Sequence, residues 1–257
     1  MFSRINQSLR NWAEKDGRGY PDWATRYRPV VDGLRKRGKL EGRILEIGAN
    51  ANGLARFAKR PVIAIDLAVD HLHEARANQP VKGVAGDITQ LPFPDNSFDA
   101  CVCMDTFEHI PQNLREYAAL EILRVLKGSG TAVIAFPSGA ASTQAEAEIR
   151  RAYHDYSGGG HIRWLDEHVE HTLPDAGAIS AYFRQGTQDC FHVFTQGNTN
   201  LRLWVWMWRV LMCGWPGQGN GIAQAVLRLC TPILSKCHSG TCYRAMIWID
   251  AKLWRGE

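Results

Sequence analysis

The stretch that most constrains the fold is a short apolar run that breaks into small, turn-forming residues, ILEIGANANG at residues 44–53. A helix-like pattern, LARFA, follows it directly. This succession is typical of a buried parallel strand that turns tightly into a helix. Glycine lets the turn approach a ligand closely, and the start of the helix directs N–H groups toward that ligand. The stretch therefore predicts a ligand site at the end of a strand.

Acidic residues recur at the ends of the apolar runs that follow. Asp66 ends the second run, about 20 residues after Glu46. Asp87 follows the third run, Asp105 ends the fourth, and residues 130–136 form a fifth apolar run. The strand ends of an open parallel sheet line its ligand crevice, where an acidic residue such as Asp66 accepts hydrogen bonds from a ribose diol. The pattern predicts an α/β fold with a row of carboxylates along this crevice.

The ligand that competes most directly for such a site is a nicotinamide dinucleotide. Its fingerprint is G-x-G-x-x-G, with the backbone close to a pyrophosphate. The loop here reads G-x-N-x-N-G, and Glu46 stands just before it, where a carboxylate would repel a pyrophosphate. A carboxylate beside a cationic amine, with a backbone cradle for the ligand's own carboxylate, favours an amino-acid-bearing cofactor instead.

Four segments, taken in order, resemble the core of class I S-adenosylmethionine-dependent methyltransferases of the methyltransferase type 11-like group: ILEIGANANG, VIAIDLA, GDITQLPFPDNSFDACVCMDTFEHI and LRVLKGSGTAVIAFPSG. The resemblance runs from about residue 43 to 138. It implies a Rossmann-like, doubly wound α/β fold, with a seven-stranded, mostly parallel sheet and an antiparallel last strand. Asn50 replaces the family's second glycine, and asparagine tolerates the left-handed conformation better than most residues.

The resemblance also implies S-adenosylmethionine as the cofactor and assigns residues to its parts. Glu46 and Gly48 would lie at the methionine part, and Asp66 would hold the ribose hydroxyls. Asp87 would meet the adenine amino group, and Asp105 would lie under the methionine end. The predicted cofactor contacts are Glu46, Gly48, Ala49, Asn50, Gly53, Asp66, Leu67, Asp87, Ile88 and Asp105.

His109 is the predicted catalytic residue. It follows the fourth strand, close to where a methyl acceptor would lie. The near-neutral pKa of imidazole suits a base that deprotonates a hydroxyl. The alternative is that His109 orders the loop or the cofactor, because methyl transfer from a sulfonium ion can proceed largely by positioning.

Several histidines cluster after the fifth strand, within residues 139–172, and predict a substrate pocket there. Solvated or capping roles are alternatives, and so is a metal site formed by His168, His171 and a carboxylate. No metal ion is predicted, because the spacing matches no zinc signature. The segment HIRWLDEHVEHTLPDAG also resembles one found in methyltransferases of bacterial surface-glycan synthesis. With two tyrosines from the N-terminal cover, the predicted substrate contacts are Tyr20, Tyr27, His161, His168 and His171.

A Trp-rich segment, LRLWVWMWRVLMCGW at residues 201–215, opens an insertion over 198–242 that contains no Asp or Glu. The insertion is too long for a hairpin loop between the last two strands. Its apolar helices are too short to span a bilayer, but tryptophan and basic residues suit an anionic membrane surface. The equally weighted alternative is a hydrophobic lid or dimer patch packed on the domain.

Composition limits the remaining classes of function. With 257 residues, 45% hydrophobic and 22% charged, the chain is predicted to form a single domain. Its parts are an N-terminal helical cover (1–40), the cofactor core (41–138), a substrate side (139–197), the insertion, and the last strand with its tail (243–257). A net charge of +4 is too modest to predict nucleic-acid binding.

The cysteines and the lack of long apolar runs predict a location. Seven cysteines, an odd number, do not suggest a disulfide framework, so a reducing cytoplasm is expected. Neither a signal peptide nor a membrane-spanning run is predicted. Peripheral membrane contact through 201–215 stays open.

The predicted function is S-adenosylmethionine-dependent methylation of a small-molecule, glycan or lipid-linked acceptor. The predicted target atom is oxygen, ahead of nitrogen or carbon. The alternative is a non-catalytic S-adenosylmethionine-binding protein that uses the insertion as a partner or membrane surface.

Overall fold

The sheet has seven strands in the order β3-β2-β1-β4-β5-β7-β6. A computed structural model describes residues 2–15, 19–49, 52–187, 190–213 and 220–252. Strand β7 runs antiparallel to both of its neighbours, β5 and β6, whereas the pairs from β3 to β5 are parallel. The strands are β1 Ile44–Ile47, β2 Val62–Asp66, β3 Val81–Ala85, β4 Phe98–Met104, β5 Leu126–Pro137, β6 Phe191–Asn200 and β7 Cys242–Ala251. This sheet confirms the predicted fold class.

Helices cover both faces of the sheet. They are α1 Phe2–Ala13, α2 Tyr20–Lys36, α3 Leu54–Ala58, α4 Val69–Asn78, α5 Arg115–Val125, α6 Ala140–Ser157, α7 Arg163–His171, α8 Ala176–Gly186, α9 Leu201–Met212 and α10 Asn220–Leu234. Two short 3₁₀ turns, Phe107–His109 and Gln112–Leu114, connect β4 to α5. Among the described residues, we find no helix that is both long and apolar enough to cross a bilayer.

The core consists of two main apolar layers, one on each face of the sheet. One layer packs α5 and α8 on the sheet, with Leu45 and Phe183 fully buried. The other packs α2 and α3 on the opposite face, around Tyr27 and Trp248. Because side chains alternate along a strand, apolar residues on both faces require helices on both sides. The central strands are therefore held rigidly, with their carboxyl ends at one edge.

The insertion between β6 and β7 forms α9 and α10. It begins after Asn200, slightly later than predicted, because β6 continues to that residue and its side chain caps α9. Trp204 and Met207 of α9 are fully buried against the helices α6 and α7. The Trp-rich helix is therefore packed on the domain along this face.

Helix α2 begins at Tyr20 without a side-chain cap. Pro21 stands in its first turn, where a missing N–H costs nothing. Asp22 lies within that turn, fully buried. Helix α6 was not predicted, because its sequence is largely polar and its short apolar stripe, Ala145 and Ile149, is buried only by tertiary contacts.

Candidate functional site

A cavity of about 340 Å³ opens at the carboxyl ends of β1, β2 and β4. Pockets for small molecules commonly have this size and this place in an α/β sheet. The structure brings seven of the predicted site residues to its wall: Gly48, Ala49, Asp66, Leu67, Ile88, Asp105 and His109. Asn50 lies outside the described residues.

Gly48 has no room for a side chain. Its φ angle is +82°, a left-handed value, and a Cβ there would overlap the side chain of Thr106. Its N–H donates to the carbonyl oxygen of Ile65 at 3.0 Å, which ties the turn to β2. Thr106 in turn donates its hydroxyl to the carbonyl oxygen of Ile47 at 3.2 Å. The turn after β1 therefore stays close to the neighbouring strands and leaves the cavity open.

The ends of β2 and β3 form the far part of the cavity wall. Asp66 accepts a hydrogen bond from the N–H of Ala68 at 2.8 Å, and Leu67 is 71% exposed. Ile88 is buried and lines the cavity. Asp87 is exposed, does not line the cavity, and accepts from the N–H and the hydroxyl of Thr89, both at 2.8 Å.

Glu46 lies behind the turn and does not line the cavity. Its side chain is buried and accepts a hydrogen bond from the N–H of Leu54 at 2.7 Å. The side chain of Tyr27 also hydrogen-bonds to it. Burial raises the pKa of Glu46 to about 7. A side chain at Gly53 would overlap this carboxylate. Both residues therefore fix the start of α3, behind the turn that follows β1.

Asp105 anchors a buried network of four charges under the cavity. Its backbone has a left-handed φ of 50°, and its N–H donates to Ala135 at 2.8 Å. Arg244 Nε donates to both carboxylate oxygens, at 2.8 and 3.0 Å, and Arg26 is 3.0 Å away. Both arginines also contact Asp22. Burial alone would raise the pKa of Asp105, but the two arginines outweigh it and hold the pKa below its usual value.

A second cavity, of about 390 Å³, adjoins the first and shares Arg26, Asp105 and His109 with it. Trp164 of α7 and Trp208 of α9 give it an aromatic wall. Polar groups also line it, among them Glu108, His168 and Tyr243. The site thus has a chamber at the strand ends and an aromatic chamber beside it.

His168 is held by a hydrogen-bond network in the wall of the second cavity. Its Nδ1 lies 3.0 Å from Glu146 Oε1, which also accepts from the Tyr243 hydroxyl at 2.6 Å. All three side chains are buried. Nε2 of His168 faces Glu108 Oε1 at 4.0 Å. Burial, and then the nearby Asp105, raise the pKa of Glu108 well above its usual value.

His109 stands where the two cavities meet. Its Nδ1 is 3.6 Å from Glu167 Oε2, and its ring lies 5.1 Å from that of His168. Burial, and then the neighbouring His168, lower the pKa of His109. A neutral imidazole is therefore present at this junction at neutral pH.

The other predicted substrate residues line neither cavity. Tyr27 is fully buried and stacks on Phe57 at 5.5 Å, and Tyr20 stacks on the same ring at 6.0 Å. His161 is 76% exposed in a separate hollow, and His171 is exposed on α7. Of the five substrate candidates, only His168 reaches the second cavity.

Sequence reasoning missed several residues of the site. The spacing of Asp22 and Arg26 on one helix was a readable signal, because residues four apart face each other. Arg244 carried no such signal, since it meets Asp105 across 139 positions. Glu108 was passed over although it stands next to His109 in the same turn.

Comparison with known proteins agrees with this geometry. Residues 45–134 match a family model described as a methyltransferase domain. A sterol 24-C-methyltransferase from Neurospora crassa is 32% identical over 104 residues, which cover 36% of this chain and 27% of that protein. A demethylmenaquinone methyltransferase from Renibacterium salmoninarum is 34% identical over 113 residues, 42% of this chain and 46% of that protein. The chain thus spans less than half the length of these relatives.

A solved structure extends the likeness beyond the matched segment. A SAM-dependent methyltransferase from Thermotoga maritima superimposes with a TM-score of 0.51 over 88% of this chain and 98% of its own, at 14% identity. At this identity the likeness shows the fold alone. Residues 45–134, which include the strands that form the first cavity, thus match a methyltransferase domain, and the chain shares the fold of this SAM-dependent methyltransferase.

Proposed function

We propose that the chain transfers the methyl group of S-adenosylmethionine to a hydroxyl oxygen of an apolar small-molecule, glycan or lipid-linked acceptor. The observation that carries the proposal is that the two cavities meet at Asp105 and His109. The first chamber would hold the cofactor, with Asp66 toward the ribose. The second would hold the acceptor against its aromatic wall.

The reaction is a displacement at carbon. The acceptor oxygen attacks the methyl carbon, the carbon–sulfur bond breaks, and its electron pair stays on sulfur, which leaves S-adenosylhomocysteine. The hydroxyl proton goes to the imidazole of His109. The buried charges around Asp105 hold the floor of both chambers in place, and such positioning lowers the barrier.

The lining of the second cavity supports an acceptor with an apolar ring or chain. Trp164 and Trp208 offer flat apolar surfaces beside the polar groups of the same cavity wall. The names of the relatives point to a sterol and a demethylmenaquinone, both apolar and ring-bearing. The sterol relative is named for methylation at carbon, so methylation of a carbon atom is the alternative. NMR of the methylated product distinguishes a methyl group on carbon from one on oxygen.

We further propose that the protein works at an anionic membrane surface on the cytoplasmic side. Four residues of α10 form an exposed apolar stripe: Ile222, Val226, Leu229 and Ile233. The insertion has no acidic residue, so its charge complements anionic lipid. The contact would lie on α10 more than on 201–215, where α9 buries Trp204. All seven cysteines are free thiols, which supports a reducing compartment.

Calorimetric titration with S-adenosylmethionine, followed by methyl transfer to lipid and glycan extracts, tests the function. We expect micromolar binding and a methylated product in the lipid extract. Asp66→Ala should weaken binding about tenfold, because a ribose-facing acceptor is lost. Binding without turnover on any extract would favour the non-catalytic alternative, and no binding at all would refute both.

A further inference from the structure

A buried carboxyl group lies beside the junction of the two cavities. Glu108 is 1% exposed, and among the described residues no other residue donates to either of its side-chain oxygens. Arg26 and Arg244 are engaged with Asp105, and Arg115 donates to backbone carbonyls. A carboxyl group buried in this way can be ionised only beside a cation or hydrogen-bond donors; without them it keeps its proton.

Two imidazoles face the same space as this carboxylate. One ligand atom from each of Glu108, His109 and His168 lies within 4.8 Å of the other two. Two histidines and one carboxylate are a ligand set that zinc and other divalent transition metals take, with a position left open for water or substrate. Ligand atoms on one zinc ion stand about 3.3 Å apart, so small side-chain rotations would complete the set.

Each imidazole also has a second carboxylate behind it. Nδ1 of His168 lies 3.0 Å from Glu146, which is held by Tyr243, and Nδ1 of His109 lies 3.6 Å from Glu167. Metal-binding histidines commonly donate their other ring N–H to a carboxylate, which fixes the tautomer and turns the free nitrogen toward the ion. The same arrangement here leaves Nε2 of both rings for a shared ligand.

We propose that Glu108, His109 and His168 bind one divalent transition-metal ion, such as Zn²⁺, where the two cavities meet. The ion would balance the buried carboxylate and present its open position to the acceptor. Its role in catalysis rests on the proposed function: it would bind the acceptor oxygen, whose proton is released to solvent before that oxygen attacks the methyl carbon. His109 would then be a ligand rather than a base.

Titration of metal-free full-length protein with Co²⁺, followed by its visible absorption, tests the site. We expect a band that saturates at one equivalent and is displaced by Zn²⁺. Glu108→Gln and His168→Ala should each weaken Co²⁺ binding at least tenfold, and Glu146→Gln about 10-fold to 100-fold. His154→Ala, which removes an exposed imidazole outside the cluster, should leave Co²⁺ binding unchanged.

Two further measurements keep the result interpretable. Thermal unfolding checks that each variant folds. X-ray absorption needs no variant: wild-type protein loaded with one equivalent of Co²⁺ should show two imidazole ligands on the metal. No saturable band, no imidazole ligand, or equal Co²⁺ affinity in wild type, Glu108→Gln and His168→Ala would overturn the proposal. Loss of methyl transfer in His109→Ala at unchanged Co²⁺ affinity would assign the base role instead.

The metal proposal and the proposed function fail in different ways. If wild-type protein does not bind S-adenosylmethionine, the function is refuted, whatever Co²⁺ shows. If S-adenosylmethionine binds and is turned over while Co²⁺ does not bind, the metal site alone is refuted.

Discussion

Gly48 connects local backbone geometry to the shape of the first cavity. Its left-handed φ and its closeness to Thr106 both exclude a side chain, for independent reasons. An L-residue at such a φ costs about 1–2 kcal/mol from the backbone alone. The clash adds a second effect, which would push the turn into the cavity.

We expect Gly48→Ala to reduce S-adenosylmethionine affinity at least tenfold, measured by calorimetry. It should also lower the free energy of unfolding, measured in urea, by more than the cost of the left-handed backbone alone. Gly38→Ala is the control, because Gly38 has a φ of 65° and no atom near its absent Cβ. Gly38→Ala should lower the free energy of unfolding by about 1 kcal/mol and leave S-adenosylmethionine binding unchanged. Removing the obstruction in Gly48→Ala/Thr106→Ala should restore part of the binding, and no recovery would contradict the steric explanation.

Glu46 makes stability depend on pH. Its pKa of about 7 in the folded protein lies above the ordinary value of 4.5, so the folded state binds the proton more tightly than the unfolded chain. The stabilisation that this protonated side chain gives the folded state is fully present below pH 4.5 and is lost as pH rises through 7. Between pH 4.5 and pH 7, the free energy of unfolding of wild type should fall by about 3 kcal/mol relative to that of Glu46→Gln.

Urea unfolding of wild type and Glu46→Gln at several pH values measures this loss. Glu116→Gln, at an exposed position of α5, should follow wild type. Equal pH slopes for wild type and Glu46→Gln would show that Glu46 is not the group responsible.

At the scale of elements, the insertion divides its apolar surface between two helices. Helix α9 turns Trp204 and Met207 inward, whereas α10 leaves Leu229 and Ile233 about two-thirds exposed, at 67% and 70%. Large exposed apolar residues at helical spacing commonly mark an interaction surface. The helix that is richest in tryptophan is thus not the one with the exposed stripe.

We expect Leu229→Asp/Ile233→Asp to abolish flotation with vesicles that contain anionic lipid, because it adds negative charge to the stripe. The matched control, Tyr117→Asp/Leu120→Asp, adds the same charges at exposed apolar positions of α5 and should float like wild type. Flotation of wild type is also expected to fall as salt rises. Equal flotation of both double variants, or none of wild type, would count against this surface.

At the scale of the whole molecule, the network around Asp105 joins distant parts of the chain. Asp22 and Arg26 come from α2, Asp105 follows β4, and Arg244 lies on β7. Removing one member leaves a buried charge uncompensated, which costs about 3–5 kcal/mol. We expect Arg244→Met to lower the free energy of unfolding by about this amount.

Urea unfolding within a double-mutant cycle tests this coupling. Asp105→Asn combined with Arg244→Met should cost less than the sum of the single changes, because neither charge is then left alone. Arg35→Met, which breaks an exposed pair with Asp32, is the control and should change stability by less than 1 kcal/mol. Additive effects in the Asp105 and Arg244 cycle would contradict a direct coupling.

The sequence by itself determined the sheet and most of the first chamber. Those features depend on short-range patterns: an apolar run, a turn and a helix start place Gly48, Asp66 and Ile88 within a few positions of a strand end. Parallel strands in one sheet then bring these ends together without further information. Glu46, predicted from the same stretch to contact the cofactor, lies behind the chamber wall instead.

Only the tertiary structure decided what surrounds the second cavity. Arg244 meets Asp22 across 222 positions, and Tyr243 meets Glu146 across 97. The burial of Trp204, the exposure of Leu229 and the grouping of Glu108 with His168 likewise depend on which helices pack together. No local periodicity encodes such contacts, because their energy comes from burial and charge pairing that arise when the chain is folded.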